Sequence, residues 1–253
     1  MVSLAWTFYA KYIGYAILDF IGLLCIYAIL RNVMLRNSPL FLINLMALFF
    51  NFINALGYFA HDLVSEALGY EIFEDPGGII AIFQSLRWFG QLISLVFISF
   101  LHLLIVIRPM VYRKMQHREG LVCLFIIFLL STALTVPLKM DCCGYIYHTS
   151  GFYWSYDKNK PGAEIFSTLN IIFQITGLNS TERRLAISFF LLSASFIFPT
   201  VVFNASSLWS SSPLFPAISF LSNMVEFSKW ILYTLASSAA RRALTDVIRG
   251  FCK

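Results

Sequence analysis

HDLVSEALGYEIFEDPGG, residues 61–78, carries Asp62, Glu66, Glu71, Glu74 and Asp75, has no Lys or Arg, and lies between two long apolar runs. The next gap between apolar runs, RPMVYRKMQHRE at 108–119, carries Arg108, Arg113, Lys114 and Arg118. Such alternation marks a chain threaded back and forth through a bilayer, because Lys and Arg are retained on the cytoplasmic side of short loops. These two stretches therefore set both the class of the protein and its expected direction of insertion.

The composition agrees. Of 253 residues, 59% are hydrophobic and 12% charged, and the mean hydropathy is +0.76. Soluble domains carry about 25% charged residues. The net charge of +5 does not point to nucleic acid, since the bases sit at the ends of apolar runs, where they anchor and orient. The N-terminus has no basic region, and its apolar run from Tyr12 to Leu30 is too long for a cleaved signal. It is expected to be the first span.

Spans are predicted over about Phe8–Leu30, Leu40–Ala60, Ile79–Ile107, Leu121–Leu138, Ile165–Leu178, Leu185–Phe203 and Leu214–Leu235. All are expected to be helices, because an open strand leaves its backbone unsatisfied in lipid. The basic gaps at 31–36 and 108–118 place the N-terminus and the 62–77 loop outside. A basic tail with Arg241, Arg242 and Arg249 then belongs inside, which requires an odd number of spans. The expectation is one all-α membrane domain over 1–253, a seven-transmembrane helix bundle with the N-terminus outside and a short amphipathic tail from about 238 inside. The fifth span is short or truncated. Fourteen residues rise only about 21 Å against a hydrocarbon core of about 30 Å. It either begins upstream in the aromatic loop, is re-entrant, or lacks residues.

The segment Ile98-Ser99-Phe100-Leu101-His102-Leu103 through Arg108-Pro109-Met110-Val111-Tyr112-Arg113-Lys114 resembles the end of the third helix in rhodopsin-like G protein-coupled receptors. By the spacing to Pro109, His102 stands where that family has its Arg. Asn37-Ser38-Pro39-Leu40 with Asn44, and Ile231-Leu232-Tyr233 followed by Ala239-Ala240-Arg241-Arg242, are similar to the start of the second helix and to the closing Tyr and eighth helix. Lys229-Trp230 replaces the family's Asn-Pro, and Phe49 sits where an acidic residue is usual. Asp141-Cys142-Cys143-Gly144-Tyr145 and Phe152-Tyr153-Trp154-Ser155-Tyr156 in the second outer loop resemble divergent nematode serpentine chemoreceptors of the srx-like kind. The family's disulfide joins this loop to the top of the third helix, where Gly77-Gly78 offers no partner.

Ionisable residues inside apolar spans are costly and should face the bundle or water. Asp19, Arg87, Glu226 and Lys229 are of this kind. One reading pairs Asp19 or Glu226 with Arg87, and Lys229 with Glu226. The other makes Asp19, Arg87, Trp88, Gln91, Glu226 and Lys229 candidates for an outward ligand pocket in which Arg87 favours an acidic or carbonyl-bearing ligand. On the inner side, His102, Arg108, Arg113, Lys114, Arg183 and Arg184 are candidates to face a G protein, or simply follow the positive-inside pattern. Asn204 heads a glycosylation sequon expected outside, whereas Asn179 heads one expected inside. Cys252 is a palmitoylation candidate. Trp6, Trp154 and Trp209 suit an interfacial aromatic belt.

The histidines show no metal-ligand spacing, and there is no nucleophile elbow or phosphate loop. Neither an enzyme nor a cofactor or metal is expected. The resemblance implies a chemosensory G protein-coupled receptor, multi-pass in the plasma membrane, that of a sensory cilium included, that binds a small-molecule extracellular ligand and signals to a heterotrimeric G protein. The alternatives are a small transporter or channel, or a truncated receptor that does not signal.

Overall fold

The computed structural model describes residues 2–73, 79–140, 143–148, 153–166, 168, 195, 197–202 and 215–251. The chain is mostly helical. Helix α1 spans Val2–Arg31, α2 Val33–Arg36 and α3 Pro39–Gly57; a π-helical turn at Tyr58–Asp62 leads into α4, Leu63–Leu68. Helix α5 spans Ile79–Ile107, α6 Pro109–Lys114 and α7 His117–Thr135, with a 3-10 turn at Val136–Lys139. A hairpin of β1, Tyr145–His148, and β2, Tyr153–Tyr156, follows. The described chain closes with α8, Phe215–Ala236, and α9, Ser238–Phe251.

Among the described residues, four stretches are long and apolar enough to cross a membrane: Tyr9–Arg31, Pro39–Leu68, Ile80–Ile107 and His117–Leu138. Helix α8 is 22 residues long, enough for about 33 Å, but Glu226 and Lys229 lower its hydropathy. Starts and stops follow local chemistry. Asn32 caps α2 by accepting from the Met34 and Leu35 amides. Pro39 and Pro109 stand in the first turns of α3 and α6, where a missing N–H costs nothing. Gln116 and Glu119 form a capping box at the start of α7.

Charge separates by end. Lys11 pairs with Glu66 at 2.7 Å, close to Asp62. At the opposite end, His117 Nδ1 lies 3.1 Å from the Arg36 carbonyl, and Arg108, Arg113 and Lys114 are exposed. The amphipathic α9 lies at this basic end. Its Ala240, Ala243 and Val247 pack into a core with Cys25, Ala28, Ile29 and Leu35. Arg241 on its outer face donates to the Leu235 and Ala236 carbonyls, closing the last turn of α8.

The second span runs further than its hydropathy predicts, ending at Leu68 rather than Ala60. Asp62 and Glu66 are therefore helical, not part of a loop. Asp62 tolerates this because His61 engages it, and Glu66 because Lys11 and the Tyr12 hydroxyl both donate to it. Gly69, at φ 76°, ends the helix in the left-handed region, where a Cβ is disfavoured. The fold is also not purely helical, since the aromatic loop forms an antiparallel hairpin pairing Tyr145 with Tyr156 and Tyr147 with Trp154. Alternating aromatics give each strand one face to bury. Trp154 is accordingly buried rather than part of an interfacial belt.

Residues 163–166 are helical, so the apolar piece predicted from Ile165 starts by Ala163. The rest of the predicted fifth span, most of the sixth, and Arg183, Arg184, Asn179, Asn204, Trp209 and Cys252 lie outside the described residues.

Candidate ligand cavity

In lipid, helices are not driven together by the hydrophobic effect, so small residues and polar contacts decide which faces meet. Both are present here. Gly90 on α5 lets the Phe50 ring of α3 lie where a Cβ would otherwise be. Gln91 donates to Asn51 Oδ1 at 2.5 Å, and Asn51 donates to the Phe227 carbonyl at 3.2 Å. Further towards the basic end Asn44 donates to Thr234 Oγ1 at 2.5 Å, and His102 Nε2 lies 2.8 Å from the Tyr233 hydroxyl. These contacts join α3 and α5 to α8 in one polar seam. The asparagines are spaced at 44 and 51, two turns apart on one helix face.

At the acidic end the same helices part around a cavity open to the outside. Lys11, Tyr58, Asp62, Gln84, Arg87, Trp88, Ser222 and Glu226 line it from the helices, and Tyr145, Trp154 and Tyr156 from the hairpin. Pro199, Val202, Phe215, Ser219 and Asn223 complete the wall. The floor is an ion pair. Arg87 Nη2 lies 2.5 Å from Glu226 Oε1, with 6% and 7% of the two side chains exposed. The Arg87 guanidinium also lies over the Phe227 ring, 5.8 Å from its centroid.

The π turn shapes the rim. It adds a residue to one turn and brings Tyr58, His61 and Asp62 all inward. Such turns are frequent at functional sites. His61 is fully buried, with Nδ1 2.6 Å from Asp62 and Nε2 2.7 Å from Glu71. Its ring is flanked by Phe73 at 5.6 Å, Tyr147 at 4.9 Å and Trp154 at 5.6 Å. The hairpin is thereby docked onto the end of the second span. Burial holds the phenols of Tyr145 and Tyr147 above their ordinary range, and for Tyr147 the nearby Asp62, Glu66 and Glu71 add to it.

Of the residues singled out by charge or chemistry, Arg87, Trp88 and Glu226 meet around this cavity. Gln91 does not line it, because its amide is turned to Asn51. Lys229 is 2% exposed and stands over the Trp88 ring at 5.6 Å. Asp19 is elsewhere, beside a narrow gap lined by Gly22, Asn51, Phe52, Phe227 and Ile231. Asp19 is thus not the partner of Arg87; Glu226 is, because α8 and not α1 presents its acid to that face of α5. At the other end His102 is turned inward by Tyr233 and is only 4% exposed. Lys11, Tyr58, Asp62 and Gln84 were not legible as cavity residues. Only the spacing of Lys11 to Glu66 across two helices would have linked them, and sequence does not display it. Among the described residues no group of three or more metal-ligating side chains occurs.

No protein-family model and no curated protein matches the chain.

Proposed function

We propose that the chain is a chemosensory receptor of the serpentine, G protein-coupled kind, binding a small extracellular molecule in the cavity at its acidic end. The observation that carries this reading is that the cavity and the polar seam share the same helices. Arg87 and Glu226 lie at the cavity, and Gln91–Asn51, Asn44–Thr234 and His102–Tyr233 continue along α3, α5 and α8 towards the basic end. A ligand that separates α5 from α8 at the cavity changes the strain on every contact below it. It shifts the resting equilibrium only to the extent that it binds the shifted arrangement more tightly.

In this reading the acidic end is extracellular, and the exposed bases Arg108, Arg113 and Lys114, with Arg183 and Arg184, face the G protein. Phe166 packs against Phe89, and Val202 lines the cavity, so both lie at the acidic end. The seven-span reading has the chain cross the membrane twice between them. Glycosylation at Asn179 would refute this topology.

The function is tested by expressing the full chain in cells with a promiscuous Gα subunit and screening small volatile and water-soluble compounds. A ligand-dependent response that is lost when Ser222→Trp fills the cavity is expected. Solute or ion flux without G protein activation would replace the receptor reading with a transporter.

A further inference from the structure

We infer that the cavity takes a small neutral molecule bearing a carbonyl oxygen, held by Arg87 and Gln84 against an aromatic wall. This rests on that part of the proposed function which makes the cavity a ligand site, and not on what the ligand signals to.

Arg87 is 5% exposed. Its Nη2 is engaged by Glu226, but Nε and Nη1 have no hydrogen-bond partner among the described residues. The same holds for Nε2 of Gln84, one turn earlier on α5. Both side chains line the cavity. Buried donors are normally matched by acceptors, and a set left unmatched at a cavity wall calls for an acceptor from outside the protein. A carbonyl oxygen, with two lone pairs, accepts from two donors at once.

Charge decides which acceptor. Glu226 already matches Arg87, Glu66 matches Lys11, and His61 engages Asp62 and Glu71. Lys229 is set back over Trp88 and is not part of the lining. The charged residues of the lining, Lys11, Arg87, Asp62 and Glu226, are two of each sign, so the donors are unspent while the lining carries no excess of positive charge. A carboxylate ligand would lose its hydration and lie near the Glu226 carboxylate, both unfavourable in a low-dielectric site. An ester, ketone or amide oxygen meets the same donors without either penalty. The aromatic part of the wall, Tyr58, Trp88, Tyr145, Trp154, Tyr156 and Phe215, suits an aromatic body, and Ser219, Ser222 and Asn223 add a polar strip beside it.

The full chain in lipid nanodiscs is titrated with methyl 3-phenylpropanoate, 3-phenylpropanoate and propylbenzene, following tryptophan fluorescence, since Trp88 and Trp154 line the cavity. The ester should bind roughly tenfold more tightly than propylbenzene, the effect expected of hydrogen bonds from a charged donor. It should also bind more tightly than the acid. Gln84→Leu, which spares the ion pair, should weaken the ester about fivefold and leave propylbenzene unchanged. Equal binding of ester and propylbenzene, or an ester affinity unaltered in Gln84→Leu, overturns the inference while leaving the cavity as a ligand site. Tighter binding of the acid overturns the neutral-ligand assignment, and no binding by any probe overturns the inference and the cavity reading together. Ester binding as expected, with no compound activating a G protein in cells, removes the receptor reading and leaves the inference standing.

Discussion

Replacing Arg87 with Met and Glu226 with Gln, singly and together, measures how much of the join between α5 and α8 rests on one ion pair. Both side chains are nearly enclosed, at 6% and 7% exposed, with nitrogen and oxygen 2.5 Å apart. Removing one member of a buried pair leaves an uncompensated charge and costs about 3–5 kcal/mol. Arg87→Met also removes the guanidinium from the Phe227 ring, a further contribution of about 0.5–2 kcal/mol. Glu226→Gln keeps an acceptor for Nη2, so its cost is expected nearer the lower bound, about 2–3 kcal/mol, as for loss of a charged hydrogen bond. The double variant has no stranded charge and should be more stable than the sum of the single losses by about 2 kcal/mol or more. For a chain of this size about 2–4 °C accompanies each kcal/mol, which places Arg87→Met roughly 10 °C or more below the parent. Thermal unfolding in nanodiscs, followed by tryptophan fluorescence, reads all four proteins. Additive losses, or an Arg87→Met protein as stable as the parent, would refute the reasoning, because they would mean the two groups do not depend on each other.

Gly90→Ala drives a Cβ into the Phe50 ring; a loss of about 1–3 kcal/mol is expected, with partial rescue by Phe50→Leu, and an unaltered melting temperature would contradict the close α3–α5 approach. His61→Gln strips Asp62 and Glu71 of the ring that links them and loosens the segment after Gly69. Hydrogen exchange at the Phe73 amide, which donates to Glu71 Oε1 at 3.1 Å, should accelerate about tenfold; unchanged exchange would deny His61 that clamping role. The Tyr145 and Tyr147 phenols are held up by burial, so the stability this gives is full below about pH 10, the unfolded value, and is lost progressively as pH rises from there through the higher folded values. Tyr145→Phe and Tyr147→Phe should therefore leave the phenolate absorbance of the folded protein at about pH 10.5 unchanged; a drop in either would place that phenol in water.

Hydropathy and charge sign, which are properties along the chain, were legible. The apolar stretches, the basic and acidic ends and the amphipathic tail could be read from residue order alone. What was not legible depends on rotation of one helix about another. Asp19, Arg87 and Glu226 are equally conspicuous in sequence, yet Arg87 meets Glu226 and Asp19 faces a separate narrow gap. Nothing local distinguishes the two acids; the azimuths of α1 and α8 do. The extension to Leu68 was hidden because Asp62 and Glu66 read as loop residues until their partners, His61, Lys11 and Tyr12, are seen beside them. The hairpin was hidden by its shortness, since strands of four residues lie below the length at which alternation stands out.

The seam between α3, α5 and α8 has a mechanical consequence. Apolar side chains slide over one another with many small changes of energy, so a helix packed only on leucines turns by degrees. Helix α8 instead engages its neighbours through Phe227, Tyr233 and Thr234, each contact directional and each failing within a fraction of a turn. Rotation of α8 must release these contacts nearly together and remake others. The helix behaves as a bolt with fixed stops rather than a dial, and any message passed along it is a change of position counted in whole steps.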